Sequence, residues 1–332
     1  MNKNSVFPGV KHLSYYLPTI NYSNDLLIKN GKFKERLVSK IGINKKYSSK
    51  KNEYSTDLAI KASYKLFKSH PKIKNKINYI IFCSQSPQFN IPSGCSLIQK
   101  ELFPKKNIPA IDINLGCSGY VYAISLAKSI IQSGEASDVL VLTSDTYSKY
   151  ISSENFSVST IFGDGASASY VTDLKNNSIN IYKSDSGTDG SHYKSLIVPN
   201  SGLNRNTIMI NKKKLNTNDL FMDGLQISSF TLAKIPLSIN NCLKKNKLTI
   251  SEIDYFIFHQ ANKYILEKLR LKIKIPREKF IIDLENKGNT TSSTIPIAMC
   301  NLLNKNKNFK NKKILVCGFG VGLSWSTNIL RI

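Results

Sequence analysis

Apolar positions along this chain follow two periods, and their alternation lays out a repeated order of strands and helices. Short runs of consecutive or alternating apolar residues predict strands at Tyr79–Ser84, Ala110–Asn114, Asp138–Ser144 and Ala166–Thr172. Between them, apolar residues three and four apart predict helices at Ser55–Ser69, Ser93–Leu102 and Gly119–Ser133. Later in the chain the logic repeats. Strands are predicted at Tyr255–His259, Lys279–Leu284, Lys313–Gly318 and Leu323–Leu330, with helices at about Asp219–Asn246, Asn262–Lys272 and Thr290–Asn304. Strands alternating with helices imply βαβ units, and therefore an α/β protein whose sheets are covered by helices. No Pro/Gly/Ser linker divides the chain, and the polar stretch Thr172 to Ser178 is its natural seam. This separates an N-terminal half, 1–175, from a C-terminal half, 176–332.

Three residues sit just past the C-terminal ends of predicted strands. Cys117 lies on the turn where the strand Ala110–Asn114 feeds the helix from Gly119. There the helix dipole and free backbone N–H groups favour a thiolate, which matters because an ordinary thiol near ~8.5 is only a few per cent ionised at neutral pH. Taken alone, Cys117 reads as a buried cysteine filling apolar space. His259 closes the apolar run Asp254-Tyr-Phe-Ile-Phe-His259, and Asn289 follows the run Lys279-Phe-Ile-Ile-Asp-Leu284. A lone histidine there reads as structural and Gly288-Asn289 as a turn. Their shared placement makes them a set, because functional groups of open α/β sheets gather at that end of the strands. The remaining histidines, His12, His70 and His192, have no motif context.

The run Gly116-Cys117-Ser118-Gly119, the tetrad His259-Gln-Ala-Asn262 and Gly288-Asn289-Thr290 resemble the Cys/His/Asn signature of the β-ketoacyl-acyl-carrier-protein synthase III family. Phe162-Gly-Asp-Gly-Ala166 and Gly318-Phe-Gly-Val-Gly-Leu-Ser-Trp325 match two further motifs of that family, both largely structural, and Asp164 reads as a hydrogen-bonding residue of a tight turn. Tyr15-Tyr-Leu-Pro18, Lys40-Ile-Gly-Ile43 and Met222-Asp-Gly224 fit as well, so the likeness runs from about Val6 to the C-terminus. It implies a thiolase-like fold, two similar halves stacked as a five-layer α-β-α-β-α sandwich, and a homodimer. The implied activity is acyl transfer: a decarboxylative Claisen condensation of an acyl thioester, acyl-CoA or acyl-carrier, with malonyl-acyl-carrier protein. In that chemistry Cys117 carries the acyl group, and the N–H groups of Cys117 and Val321 form an oxyanion hole. His259 Nε2 and Asn289 Nδ2 donate to the malonyl thioester oxygen, a role an amide suits because it takes no proton at neutral pH. Cys317 reads as a buried strand residue rather than the second cysteine a thiolase uses. No resident cofactor or metal is implied; the coenzyme A thioester is substrate.

Departures from the family pattern bear on the substrate. The tryptophan and arginine that clamp coenzyme A's adenine in well-known members fall at Arg36 and Phe156, as though exchanged; an arginine and an aromatic still suit a base. The residue before Pro92-Ser93, expected to floor the partner subunit's acyl tunnel, is Ile91, with Phe89 close by. The arginine expected to dock the carrier is Tyr264, leaving Lys263, with Lys268 and Arg270 on the same helix, to take that part. A relative of specialised metabolism or glycan-precursor synthesis, using the same three residues on another acceptor, is the alternative within the fold.

Composition bounds the rest. The 332 residues are 41% hydrophobic and 21% charged, a globular balance. No apolar run approaches the ~18–20 residues that cross a bilayer, and Met1 to Ile20 shows no secretory pattern. The six cysteines show no metal-ligand spacing and are expected to be reduced, in the cytoplasm. Lys and Arg number 47 against 22 Asp and Glu, a formal charge of +25. Such a charge raises the alternative of a basic nucleic-acid-binding protein. However, the lysines are dispersed and often sit beside asparagine, as in Lys244-Lys-Asn-Lys247, and no nucleic-acid-binding motif accompanies them. A positive rim steering an acidic carrier protein is the other functional reading of that charge.

Overall fold

The computed structural model of the chain describes residues 6–30, 35–152, 155–204, 206–210, 213–215, 217–305 and 309–332. Two five-stranded sheets organise it. The first contains β1 (Pro8–Tyr16), β2 (Tyr79–Cys83), β3 (Ala110–Ile113), β4 (Asp138–Asp145) and β5 (Gly165–Asp173), in the order β1-β5-β4-β2-β3. The second contains β6 (Asp185–Thr188), β7 (Tyr255–Phe258), β8 (Phe280–Ile281), β9 (Lys313–Gly320) and β10 (Ser324–Arg331), in the order β6-β10-β9-β7-β8. Numbered within its half, each sheet has the same order and the same senses. The second, third and fourth strands are parallel, while the fifth runs antiparallel to both its neighbours. The duplication expected from the alternating elements is thus a duplicated topology.

Helices fill three layers around the sheets. Helices α1 (Ser55–Ser69) and α2 (Gly94–Leu102) cover the outer face of the first sheet; α4 (Gly224–Lys245) and α5 (Lys263–Ile273) cover that of the second. Between the sheets lie α3 (Gly119–Ser133) and α6 (Thr294–Lys305), each touching both. A central helix needs apolar residues on more than one face. Accordingly α3 buries Tyr120, Val121, Ala123 and Ile124, and a single core joins Val121 to Val141 of β4, Val316 of β9 and Met299 of α6. The result is the α-β-α-β-α sandwich.

Local chemistry explains where elements begin. The Asp57 carboxylate accepts the Tyr54 N–H (2.8 Å) at the start of α1, and Asn262 Oδ1 accepts the Ile265 N–H (2.9 Å) at the start of α5. The segment expected as a helix from Asp219 starts only at Gly224, where Asp223 accepts the Gln226 N–H (3.1 Å); before it, Phe221–Met222 pairs with Leu196–Ile197. The expected strand Lys279–Leu284 shrinks to Phe280–Ile281, because only those two residues find a ladder partner on β7. The helix expected from Thr290 starts at Thr294, after a tight turn at Thr291–Ser293 in which Thr291 holds a left-handed φ of 53°.

Candidate active site

Cys117, His259 and Asn289 come together. All three line one narrow cavity of about 80 Å³, with Phe319 and Gly320 of β9 opposite Cys117. Each is nearly buried, at 4%, 1% and 3% exposure respectively.

Cys117 sits on the turn between β3 and α3, closed by the Gly119 N–H to Gly116 carbonyl bond (2.8 Å). The backbone N–H groups of Cys117 itself and of Val321 act on its sulfur, each favouring the thiolate. These are the two amides expected to form the oxyanion hole. The Val321 turn is held against the cysteine turn by side chains: Ser324 Oγ donates to the Val321 carbonyl (2.8 Å) and pairs with Ser118 Oγ (2.7 Å). Gly320 must be glycine for a steric reason, since a Cβ there would lie 2.8 and 2.9 Å from Cys117 Cβ and Sγ.

The expectation of a thiolate at this turn is corrected. Burial, followed by the nearby Asp145 carboxylate, pushes the Cys117 thiol up to about 12, and the two amide donors offset only part of that. Desolvation outweighs the stabilisation available at the start of α3, and this favours the thiol form of Cys117.

His259 follows β7, its N–H bonded to the Cys317 carbonyl (2.8 Å). Burial lowers its pKa to about 3, so the imidazole is neutral. Nδ1 lies 2.8 Å from Thr294 Oγ1, and the Thr294 hydroxyl donates to the Thr291 carbonyl (3.1 Å). With its proton committed there, Thr294 Oγ1 can only accept from His259, which puts the ring proton on Nδ1. Nε2 then accepts from Asn289 Nδ2 at 3.3 Å. The amide is oriented by its own oxygen, which accepts the Thr291 N–H (2.9 Å). Its backbone is laced to the Phe162–Ala166 turn by the Asn289 N–H to Ile161 carbonyl (2.9 Å) and Gly163 N–H to Asn289 carbonyl (3.0 Å) bonds. In this tautomer Nε2 is an acceptor, and the donor role expected of it towards a malonyl thioester requires that a proton reach it.

Two functional neighbours were not legible in the sequence. Thr294 orients His259, and only the left-handed turn at Thr291 brings it there. Asp145, at the C-terminal end of β4, is fully buried. It accepts from the Gln85 N–H (2.8 Å) on one side and from the Ser292 hydroxyl (2.5 Å) on the other, so it ties the segment after β2 to the Asn289 turn. Burial raises its pKa to about 7 despite these donors.

The remaining candidates lie outside the cavity. Arg36 is exposed on the helix Glu35–Ile41 and Phe156 half-buried at the start of Phe156–Ser159; neither lines the Cys117 cavity. Phe89 and Ile91, 48% and 89% exposed, project away from their own chain. Lys263 is exposed near the mouth, its stem lying over Gly42, while Lys40 and Lys268 sit over the Tyr264 ring at 6.0 and 4.6 Å. Arg270, the third expected docking residue, has partners within its own chain. Its guanidinium is occupied by Glu267 (2.7 Å) and the Ile275 carbonyl (3.2 Å), at the helix end away from Asn262. Asp164 holds its turn as expected, accepting from Ser49 and Ser148 N–H and hydroxyl groups at 2.6–2.9 Å. Cys317 is fully buried within β9, its sulfur accepting from the Thr327 hydroxyl (3.2 Å). All six cysteines are free and buried. Among the described residues no helix is long and apolar enough to cross a membrane, and no three His, Cys, Asp or Glu side chains cluster as metal ligands.

Comparison with known proteins agrees with this geometry. Residues 111–190 match the family 3-oxoacyl-[acyl-carrier-protein] synthase III, and residues 243–332 match its C-terminal domain. The chain is 33% identical over 318 residues to a β-ketoacyl-[acyl-carrier-protein] synthase III of Clostridium perfringens, covering 94% of this chain and 97% of that protein. The chain belongs to the β-ketoacyl-[acyl-carrier-protein] synthase III family. A crystal structure of a 3-oxoacyl-(acyl-carrier-protein) synthase III superposes with a TM-score of 0.91 at 33% identity, covering 98% of this chain and all of the other. The synthase III of Thermus thermophilus follows at 0.89 and 25% identity, with 98% and 99% covered. Membership in this synthase III family makes the fold thiolase-like and the protein an acyltransferase.

Proposed function

We propose that this synthase III condenses an acyl thioester with malonyl-acyl-carrier protein through an acyl-Cys117 intermediate. The observation that carries the reading is the convergence of a cysteine sulfur, two backbone N–H donors, an imidazole and a carboxamide on one narrow cavity. In the first half-reaction the Cys117 thiol passes its proton to His259 Nε2, and the sulfur attacks the thioester carbonyl. The resulting oxyanion is held by the Cys117 and Val321 N–H groups until the donor thiolate leaves and takes a proton from solvent. His259 then carries Nε2–H. In the second, the malonyl C–CO₂ bond breaks, and His259 Nε2 and Asn289 Nδ2 donate to the thioester oxygen as enolate charge develops. The enolate carbon attacks acyl-Cys117, and the departing Cys117 thiolate recovers its proton from His259. One proton from solvent is consumed overall, matching the loss of a carboxylate as CO₂. A histidine whose burial holds it near 3 keeps that proton only while an anion faces it, which the malonyl group supplies.

Coenzyme A is the proposed carrier of the donor, with Arg36 and Phe156 flanking its base at the tunnel entrance. The acyl carrier protein is expected to dock on the positive mouth formed by Lys40, Lys263 and Lys268 around Tyr264. We assign a homodimer formed through β3. This strand is a sheet edge, and Asp112 on it accepts the Gly94 and Cys95 N–H groups (2.6 and 2.9 Å), so the exposed Phe89 and Ile91 adjoin that edge. Pairing there would deliver Ile91 to the partner subunit's acyl tunnel. The two repeats are assigned to 1–175 and 176–332, and the compartment to the cytoplasm on the strength of six unpaired cysteines.

Intact-mass spectrometry with a panel of acyl-CoA and acyl-carrier thioesters tests the reading. A single acyl adduct is expected on the parent and none on Cys117→Ala. His259→Ala and Asn289→Ala should keep loading and lose malonyl decarboxylation; full condensation by either overturns their roles.

A further inference from the structure

A second cavity, of about 370 Å³, lies behind Phe162. Phe162 lines both this cavity and the Cys117 cavity, so the two are neighbours. Its other walls are largely apolar: Tyr22 and Leu26 from the N-terminal hairpin and helix, Tyr47, and Ile151. Its hydroxyl lining includes Ser148, which is fixed by donation to Asp164 (2.6 Å).

One cation faces this space. Lys46 comes from the strand Lys45–Ser48, with Tyr22 opposite it in the hairpin register, and its Nζ lies 5.8 Å from the Tyr22 ring centre. Among the described residues no carboxylate or hydrogen-bond acceptor pairs with this ammonium. Burial alone lowers its pKa to about 8. A half-buried ammonium beside an aromatic face and an apolar cavity is an incomplete ion pair: the partner it lacks is an anion carrying apolar bulk. At roughly 30 Å³ per non-hydrogen atom, the space suits about twelve such atoms.

We propose that this cavity is a binding site for a medium-chain alkyl carboxylate. The carboxylate pairs with Lys46 and the chain lies against Tyr22, Leu26 and Phe162. The site is distinct from the catalytic cavity and does not depend on the reaction assigned to it.

Decanoate, with twelve non-hydrogen atoms, is the probe, and calorimetric titration of the full chain is the assay. The uncapped parent is titrated first; Cys117 is then capped with iodoacetamide, so that the catalytic cavity is occupied in every further arm. Decanoate is expected to bind the capped protein with one site per chain and to lose at least tenfold in affinity in Lys46→Met. Lys46→Arg should stay within about threefold of the parent, and decanol should bind parent and Lys46→Met alike. Equal decanoate affinity in parent and Lys46→Met, or an equal loss in Lys46→Arg, overturns the charge pairing. Loss of decanoate binding on capping Cys117 would place the ligand in the catalytic cavity and overturn the site.

Discussion

Replacing Asp145 with asparagine should loosen the hold that keeps Cys117 protonated. In the parent, a thiol pushed up to about 12 is ionised to roughly one part in 10⁵ at pH 7, against a few per cent for an ordinary cysteine. That deficit is ~10³–10⁴-fold. The more basic thiolate is intrinsically more reactive by ~30–50-fold, from a Brønsted slope of about 0.4–0.5, so the net reaction with a small methanethiosulfonate should run ~10²-fold slower than with free cysteine. Its rate should rise tenfold per pH unit from about pH 8 to pH 10, without a plateau. Asp145 itself sits near 7, so its charge is present above that pH and fades below it. Charges ~10 Å apart at an effective dielectric of about 20 interact by about 1.7 kcal/mol, roughly one pKa unit. Asp145→Asn should therefore move the thiol down by about one unit and raise the rate at pH 8.5 by about threefold, with no change at pH 5.5. The assay is the pH–rate profile of Cys117 modification, read by peptide mass. A plateau below pH 9 in the parent, or an unmoved profile in Asp145→Asn, would refute the electrostatic reasoning. Ser292→Ala supplies the contrast. It removes the hydroxyl bond to Asp145, leaving only the longer Ser292 N–H contact (3.3 Å), and shifts the Asp145 pKa upward, so the thiol profile at pH 9 and above, where the carboxylate stays ionised, should hold while malonyl decarboxylation falls.

Two further predictions concern the scaffold. Gly320→Ala places a methyl under 3 Å from Cys117 Sγ, so acyl loading should fall by ~10²-fold or more while the melting temperature drops by only a few degrees. Equal loading rates in parent and variant would show that the β9 backbone yields. Asp164→Ala leaves the buried Ser49 N–H and the part-buried Ser148 N–H without acceptors, at about 1–3 kcal/mol each, and denaturant unfolding should show a loss of ~2–6 kcal/mol; a loss under 1 kcal/mol would mean that water replaces the carboxylate.

The hydrophobic pattern alone determined which elements exist wherever burial is one-sided or complete. Ser55–Ser69 and Gly119–Ser133 carry their own periodicity, and both helices have those bounds. The parallel strands β2, β4 and β7 are apolar because they are covered on both faces, and they read plainly; β3, a sheet edge with exposed Asp112, read from its alternation. β1 and β6 did not. Pro8–Tyr16 mixes His12 and Ser14 among its apolar residues, and Asp185-Ser-Gly-Thr188 has no apolar residue; each is a strand because an antiparallel neighbour, β5 or β10, supplies its hydrogen bonds. Cys117, His259 and Asn289 were legible as a set because the motifs around them resemble the family's signature; Cys117 and His259 also stand close after strand ends, whereas Asn289 follows its strand Phe280–Ile281 by eight residues. Their electrical state was not legible. Protonation depends on how much water the surrounding layers exclude and on which distant chemical group lies alongside, and both are set only when the two halves pack. The sequence thus determined that a thiol, an imidazole and an amide would meet. Packing decided that burial favours the protonated sulfur, that His259 Nδ1 faces Thr294, and that the Asp145 carboxylate lies close enough to act on the thiol.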